Sequence, residues 1–349
     1  MESASVLSWG GFAIGLIFGL VGQRIGFCLT SALRAFWTGG DGHGLRLFAV
    51  ALGVALLGSQ SLDATALVSL DRSIYRQPTF AWPLLAAGGL LFGYGMVLAN
   101  GCGARALMLL AAGNLRSFVV LVSLGIAAYA TLTGVLAPVR VALLEATAVV
   151  APPAPAGLFR WLVTGVTVAA LLSLAASAGW LRAHPLRALG AVAIGLLVPA
   201  GWLVTGVFAA DEFDPVPLAS LTFVAPIGEA LQYLMLATGL RLGFGTATVA
   251  GVLAGAAAAA WLSGQVELRG FDSPQQMVRA LVGGGLMGIG GALALGCSIG
   301  QGLTGLSTLA PSSAVAAGGI LLGAYIALRG PWRLAAGHAA PLSGRRTAR

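Results

Sequence analysis

Nine apolar stretches divide this chain: 6–21, 45–60, 80–98, 117–137, 158–180, 188–208, 246–262, 278–295 and 313–328. Each is long enough to cross, or nearly cross, ~30 Å of hydrocarbon as a helix, although several fall short of the usual ~20 residues. A chain of 349 residues that is 58% hydrophobic and 9% charged has too little polar surface to coat a globule. The expected fold class is an all-α polytopic membrane protein, a single transmembrane domain over 1–349. The 52 glycines suit close-packed membrane helices and backbone that turns inside a bilayer.

Shorter apolar pieces lie between some of the stretches, at 28–37, 103–112, 226–240 and 298–309, each after a break rich in Gly, Pro or polar residues. They read as four short re-entrant half-helices, which are tolerated at membrane depth only when buried in protein or lining a cavity. The order repeats. Residues 6–137 run helix, break, short helix, helix, helix, break, short helix, helix, and 188–328 follow the same order, with helix 158–180 joining the halves. A single joiner between halves of four crossings inverts the second half. The expectation is therefore about nine transmembrane helices in an inverted repeat, hourglass-like, with the four breaks meeting near the midplane.

All 19 basic residues are arginine, scattered singly between apolar segments. With the N-terminus outside, Arg34, Arg46, Arg116, Arg182, Arg187, Arg269, Arg279 and the tail arginines of 329–349 fall inside. Arg72, Arg76, Arg140, Arg160 and Arg241 fall outside, as do Asp211, Glu212 and Asp214. The inner excess fits the positive-inside rule and predicts a cytoplasmic Arg-rich tail. The same scatter argues against a nucleic-acid surface despite a pI of about 10.4. Lipid is the expected surroundings. The start, Met1-Glu2-Ser3, lacks a basic n-region, so no cleavable signal peptide is expected.

The only three cysteines each sit in a break: Gly26-Phe27-Cys28-Leu29, Asn100-Gly101-Cys102-Gly103 and Leu295-Gly296-Cys297-Ser298. Cys28 and Cys102 are 74 residues apart, and the same step back from Cys297 lands on Phe223, in Ser220-Leu221-Thr222-Phe223. The fourth break thus carries hydroxyls where the others carry a thiol. A half-helix starting at membrane depth aims unpaired N–H groups and its positive dipole end at the centre, so four such ends would suit an anion. Gly101, Gly103 and Gly296 would expose the breaks to a solute, with Ser298 and Thr222 offering hydroxyls and Arg24 and Arg105 formal charge. Thiols are soft, polarizable and weak donors, which favours a soft, sulfur-bearing anion. A binding role calls for neutral thiols and an enzymatic role for a thiolate.

Plainer readings stand beside these. A membrane cysteine is commonly a small buried hydrophobe. Arg24 and Arg105 could snorkel from helix ends. Asn100, Gln301, Thr304 and Ser307 could satisfy broken backbone, and Gly283–Gly285 and Gly290-Gly291 could serve helix packing. The cysteines lack zinc spacing, and His43, His184 and His338 fall in hydrophilic connections, so no metal and no cofactor are expected. No GxxxxGK[ST] motif marks an ATP motor.

The phrases RIGFCLTSALR (24–34), NGCGARALMLLAAGNLRS (100–117), SLTFVAPIGE (220–229), GFDSPQQM (270–277) and ALGCSIGQGLTGLSTLA (294–310) resemble the YeeE/YedE family of bacterial inner-membrane proteins. The likeness covers roughly 8–328. It implies a transporter, not an enzyme, that takes up thiosulfate. Cys297, Cys102 and Cys28 would pass the ion along by S–H···S hydrogen bonds. It also implies a TusA-like sulfurtransferase as a partner, here a separate protein. Some members are tied to selenium or other sulfur species. Two rivals share the fold: a membrane sulfurtransferase that forms a cysteine persulfide, and a passive channel with inert cysteines.

Overall fold

The computed structural model describes residues 2–330 apart from 177–179, 210–215 and 272. His338, the tail, and Asp211, Glu212 and Asp214 lie outside the described residues. The first half holds α1 (Glu2–Ile25), α2 (Leu29–Gly39), α3 (His43–Ala64), α4 (Trp82–Leu98), α5 (Gly103–Ala111) and α6 (Leu115–Leu132). Next come α7 (Ala137–Thr147), α8 (Gly157–Ala176) and α9 (Trp180–Ala183). The second half holds α10 (Pro185–Leu203), which runs into a π-helical turn (Val204–Phe208), then α11 (Val224–Leu236), α12 (Phe244–Leu262), α13 (Pro274–Leu293), a second π-helical turn (Gly300–Gly305) and α14 (Pro311–Arg329).

The chain is an all-α polytopic membrane protein. Among the described residues eight helices are long and apolar enough to cross a membrane, against about nine expected. The ninth stretch, 278–295, is α13. It is 20 residues long, but it opens Pro-Gln-Gln-Met-Val-Arg and is glycine-rich beyond, which lowers its hydropathy. It lies packed between α4 and α6.

Two glycine seams join the halves. On α1, a Cβ at Gly15 would lie 2.1 Å from the Thr248 carbonyl oxygen of α12. From the other side, a Cβ at Gly255 would lie 2.0 Å from the Leu16 carbonyl oxygen. The second seam sets Gly89 and Gly93 of α4 against Gly319 and Gly323 of α14, equally close to backbone. Apolar side chains gain nothing from leaving lipid for a neighbouring helix, so close backbone approach through small residues supplies the association. Gly283, Gly284, Gly290 and Gly291 of α13 likewise press on α4, α6 and α11, whereas Gly285 faces open space. The contacts pair in kind. α1 meets α12 as α10 meets α3, α4 meets α14 as α13 meets α6, and α2 lies on α3 as α11 lies on α12.

Two elements depart from the sequence expectation. The crossing expected over 117–137 stops at Leu132, and α7 follows. From α7, Arg140 donates to the Thr131 and Leu132 carbonyls at 3.1 and 3.3 Å, satisfying the otherwise orphaned end of α6. The other is a two-residue antiparallel pair, β1 (Thr79–Phe80) with β2 (Val149–Val150), which ties the segment before α4 to the one before α8.

Candidate transport site

All three cysteines are free and buried, at 8%, 2% and 1% exposure for Cys28, Cys102 and Cys297. One backbone device sets each. The long helix ahead of the cysteine ends in a left-handed residue: Gly26 (φ 69°), Asn100 (φ 62°) or Leu295 (φ 55°). The next N–H reaches back five residues, Phe27 to Gly22, Gly101 to Met96 and Gly296 to Gly291, at 2.8–2.9 Å. This is the long bond of a Schellman cap. The cysteine follows at once, and a half-helix starts from it. Cys28 and Cys102 are the N-caps of α2 and α5. The Cys297 carbonyl accepts the Gln301 N–H at 2.7 Å, while its sulfur accepts the Gly300 N–H at 3.2 Å. The fourth break puts Phe223, the residue reached by the 74-residue step, at the N-cap of α11.

These breaks converge. Cys102 lies near both Cys28 and Cys297. The buried Ser298 hydroxyl approaches the Cys102 sulfur without closing a hydrogen bond, and it has no other partner. The Thr222 hydroxyl and the Phe223 N–H reach toward the Cys297 sulfur. Gly103 lies against Ile227 and Phe223, where a Cβ would be 2.9 Å from the Ile227 side chain. Gly296 lies on Gln301. The N-terminal ends of α5 and α11 therefore meet beside the thiols.

The arginines divide differently from the sequence reading. Arg24 is exposed on the last turn of α1. Arg105 is half-buried, with its stem over Gly101. A guanidinium that does reach the cysteine breaks is Arg34, six residues beyond Cys28 and near it. Its Nη1 donates to Asn100 Oδ1 at 2.6 Å and its Nη2 to the Val97 carbonyl at 3.4 Å, which ties α2 to the Cys102 turn. Its place in the Cys28 phrase was the available signal.

Hydroxyl and amide groups hold the Cys297 loop. Thr304 donates to the Leu221 carbonyl at 2.7 Å, Ser307 to the Thr304 carbonyl at 2.7 Å, and Gln60 to the Ser307 carbonyl at 2.7 Å. An aromatic cluster, absent from the sequence expectation, fills the space alongside. Phe27 stacks on Phe48 with ring centroids 5.5 Å apart, and Phe18 touches both Phe27 and Phe223. Among the described residues no group of His, Cys, Asp and Glu is arranged to hold a metal ion.

A family model for sulphur transport matches residues 24–326. The chain belongs to the sulphur transport family. Two relatives match nearly the whole chain. The thiosulfate transporter TsuA of Spirochaeta thermophila is 28% identical over 347 residues, 90% of this chain and 96% of that protein. The thiosulfate transporter TsuA of Escherichia coli is 26% identical over 321 residues, 84% of this chain and 86% of that protein. A probable transporter, YedE of E. coli, shares 34% identity over 90 residues, 25% of this chain and 20% of that protein. The family match runs from Arg24 nearly to the end of α14, so it takes in all four breaks.

Proposed function

We propose that this chain carries thiosulfate into the cell through its three buried thiols. The observation that carries the reading is the repeated turn: three buried cysteines, from breaks in both halves, each follow the same backbone device, and Cys102 lies near both others. Thiosulfate stays intact. Each neutral thiol donates S–H to the terminal sulfur, and the ion moves from Cys297 to Cys102 to Cys28 with no covalent bond made or broken. The half-helix N-termini and the hydroxyls of Ser298 and Thr222 hold the oxygens. Both full-length relatives bear the name thiosulfate transporter, which supports this solute.

The paired contacts of the two halves support an inverted repeat of 6–137 and 188–328 about helix 158–180. The arginine distribution supports an inner-membrane placement with a periplasmic N-terminus, a cytoplasmic tail and Cys297 on the outer side. A separate TusA-like sulfurtransferase would consume the ion inside.

The test is uptake of isotope-labelled thiosulfate by proteoliposomes containing only this chain. Cys102→Ala and Cys297→Ala should each lose most of the uptake while keeping wild-type expression and melting temperature. Full uptake by both variants would sink the relay. The donors converging on the Cys297 sulfur also suit a persulfide-forming sulfurtransferase. Intact mass after thiosulfate exposure separates the two, since a stable gain of one sulfur atom on one cysteine belongs to the enzyme.

A further inference from the structure

On the Cys297 side, the segment after α3, the β1–β2 pair and the first turn of α14 line a cavity of about 130 Å³. Admitting a single water takes only ~10–15 Å³ of such volume, so the space holds several water-sized groups. Asp71, Tyr75, Arg76, Gln77, Pro311 and Ser312 contribute to its lining. Arg76 is the singular feature, for its side chain is only 4% exposed. Its Nη1 is shared between Asp63 Oδ2 at 2.9 Å and Asp71 Oδ1 at 3.2 Å, and its Nε donates to the Thr308 carbonyl at 2.8 Å. Its Nη2 is buried and has no hydrogen-bond partner among the described residues. An arginine fork matches two oxygens of an oxyanion, and here one arm is unused.

The two carboxylates are not equivalent. Asp63 is 7% exposed and also takes Arg160 Nη2 at 3.2 Å, so it is a fixed support of Arg76 and not part of the cavity lining. Asp71 is 72% exposed. An exposed carboxylate on a charged pair is weakly held and exchangeable. Arg76 and Arg160 balance Asp63 and Asp71 in charge, so an arriving anion that takes the place of Asp71 leaves no buried guanidinium unpaired. The positive end of α14, a helix of 19 residues, faces the same space through Pro311 and Ser312.

Tyr75 forms the partition to the thiols. Its ring packs edge-on to Trp202 at 6.3 Å, and its hydroxyl lies 3.5 Å from where a Cβ on Gly300 would stand. Gly300 is the residue whose N–H holds the Cys297 sulfur. Burial, and to a lesser degree the Cys297 charge, push the Tyr75 phenol well above its ordinary range, so the partition stays neutral.

We propose that this cavity is the outer docking site, where a small tetrahedral oxyanion of the thiosulfate or sulfate kind binds the Arg76 fork by displacing the Asp71 carboxylate. Asp71 is thus an internal competitor for the ion. The inference rests on the transport reading. The docked ion sits one side chain, Tyr75, away from the Cys297 loop.

The test is the external concentration dependence of labelled thiosulfate uptake by proteoliposomes of wild type, Asp71→Asn and Arg76→Lys. Asp71→Asn should lower KM several-fold at unchanged maximal rate, because the competitor is removed. Arg76→Lys should raise KM ten-fold or more, because lysine lacks the fork. A KM for Asp71→Asn at or above that of wild type overturns the proposal. Should Arg76→Lys fail to fold, Asp71→Asn still decides, since its side chain projects into solvent. Should wild type itself take up no thiosulfate, the transport reading falls. Docking is then read from the melting temperature of the detergent-solubilised chain titrated with thiosulfate: tighter binding by Asp71→Asn supports the site, and equal or weaker binding overturns it.

Discussion

Gly26 isolates the turn that aims Cys28 from everything around it. A Cβ at Gly26 would meet nothing within 4 Å, yet the residue stands at φ 69°. Replacing it by alanine therefore adds no clash and removes no contact; it only places an L-residue in the left-handed region. That conformation costs roughly 1–2 kcal/mol. Asparagine visits it more readily and should cost less. A β-branched valine should cost more than alanine. Gly39 is the control, because it also has open space around any Cβ but lies in α2 with an ordinary φ. Gly39→Ala should stabilise, by less than the ~0.5–1 kcal/mol of a mid-helix glycine because Gly39 is the last residue of α2. Two glycine-to-alanine changes with equal room thus have opposite signs. Melting of the detergent-solubilised protein reads both, and the order should be Gly39→Ala, wild type, Gly26→Asn, Gly26→Ala, Gly26→Val. Uptake should fall along the last three, because a strained turn spends part of its time elsewhere and takes Cys28 with it. Gly26→Ala melting at or above wild type, with asparagine no better than alanine, would refute the idea that left-handed turns place the thiols.

Other expectations concern packing, charge and pH. Gly255→Ala puts a Cβ 2.0 Å from the Leu16 carbonyl oxygen, where ordinary contact begins at 3.4 Å. It should cost about 1–3 kcal/mol in melting experiments, while Gly165→Ala, inside α8 with nothing within 4 Å, should instead stabilise by about 0.5–1 kcal/mol. Arg34→Gln removes the tie to Asn100 and should cost about 1 kcal/mol together with a several-fold loss of uptake; Arg34→Lys should restore part of that uptake. The hydrogen bond and charge of Arg269 hold the Glu267 carboxyl below its ordinary range. A depressed carboxylate stabilises above its unfolded pKa of ~4.3, and that contribution disappears as pH falls through the lowered folded value. Glu267→Gln should therefore melt slightly below wild type at neutral pH and level with it in strong acid.

Much of the scaffold is legible because membrane helices announce themselves by apolar length and their ends by glycine and proline. The stretch expected over 246–262 is α12 (Phe244–Leu262), and the 74-residue step lands on the N-cap of α11. What escapes is set by distant partners. α7 carries Arg140 and Glu145 and opens on Ala-Pro, so it reads as a connection; its place comes from the bonds of Arg140 across to α6. Nothing in a leucine announces the φ of 55° at Leu295; only its alignment with Gly26 and Asn100 in three like turns does. Arg34 meets Asn100 across 66 residues of sequence, and Arg76 meets Thr308 across 232. Single arginines counted as topology signals thus prove to have sharply different surroundings, which hydropathy cannot distinguish.

The ties among the four breaks have a mechanical consequence. Arg34 fastens the first break to the second, and Thr304 fastens the fourth to the third. Among the described residues no hydrogen bond links one pair to the other, and Ser298 stops just short of Cys102. Two stiff jaws thus face each other across the centre, touching through sulfur, phenyl rings and glycine. Any sliding of one pair past the other would have to run along the glycine seams that join the halves, and it would close again on soft contacts with little directional preference. On the proposed relay, the thiols would stand at this line, where a large polarizable sulfur atom would be held and released with the least disturbance to the rest.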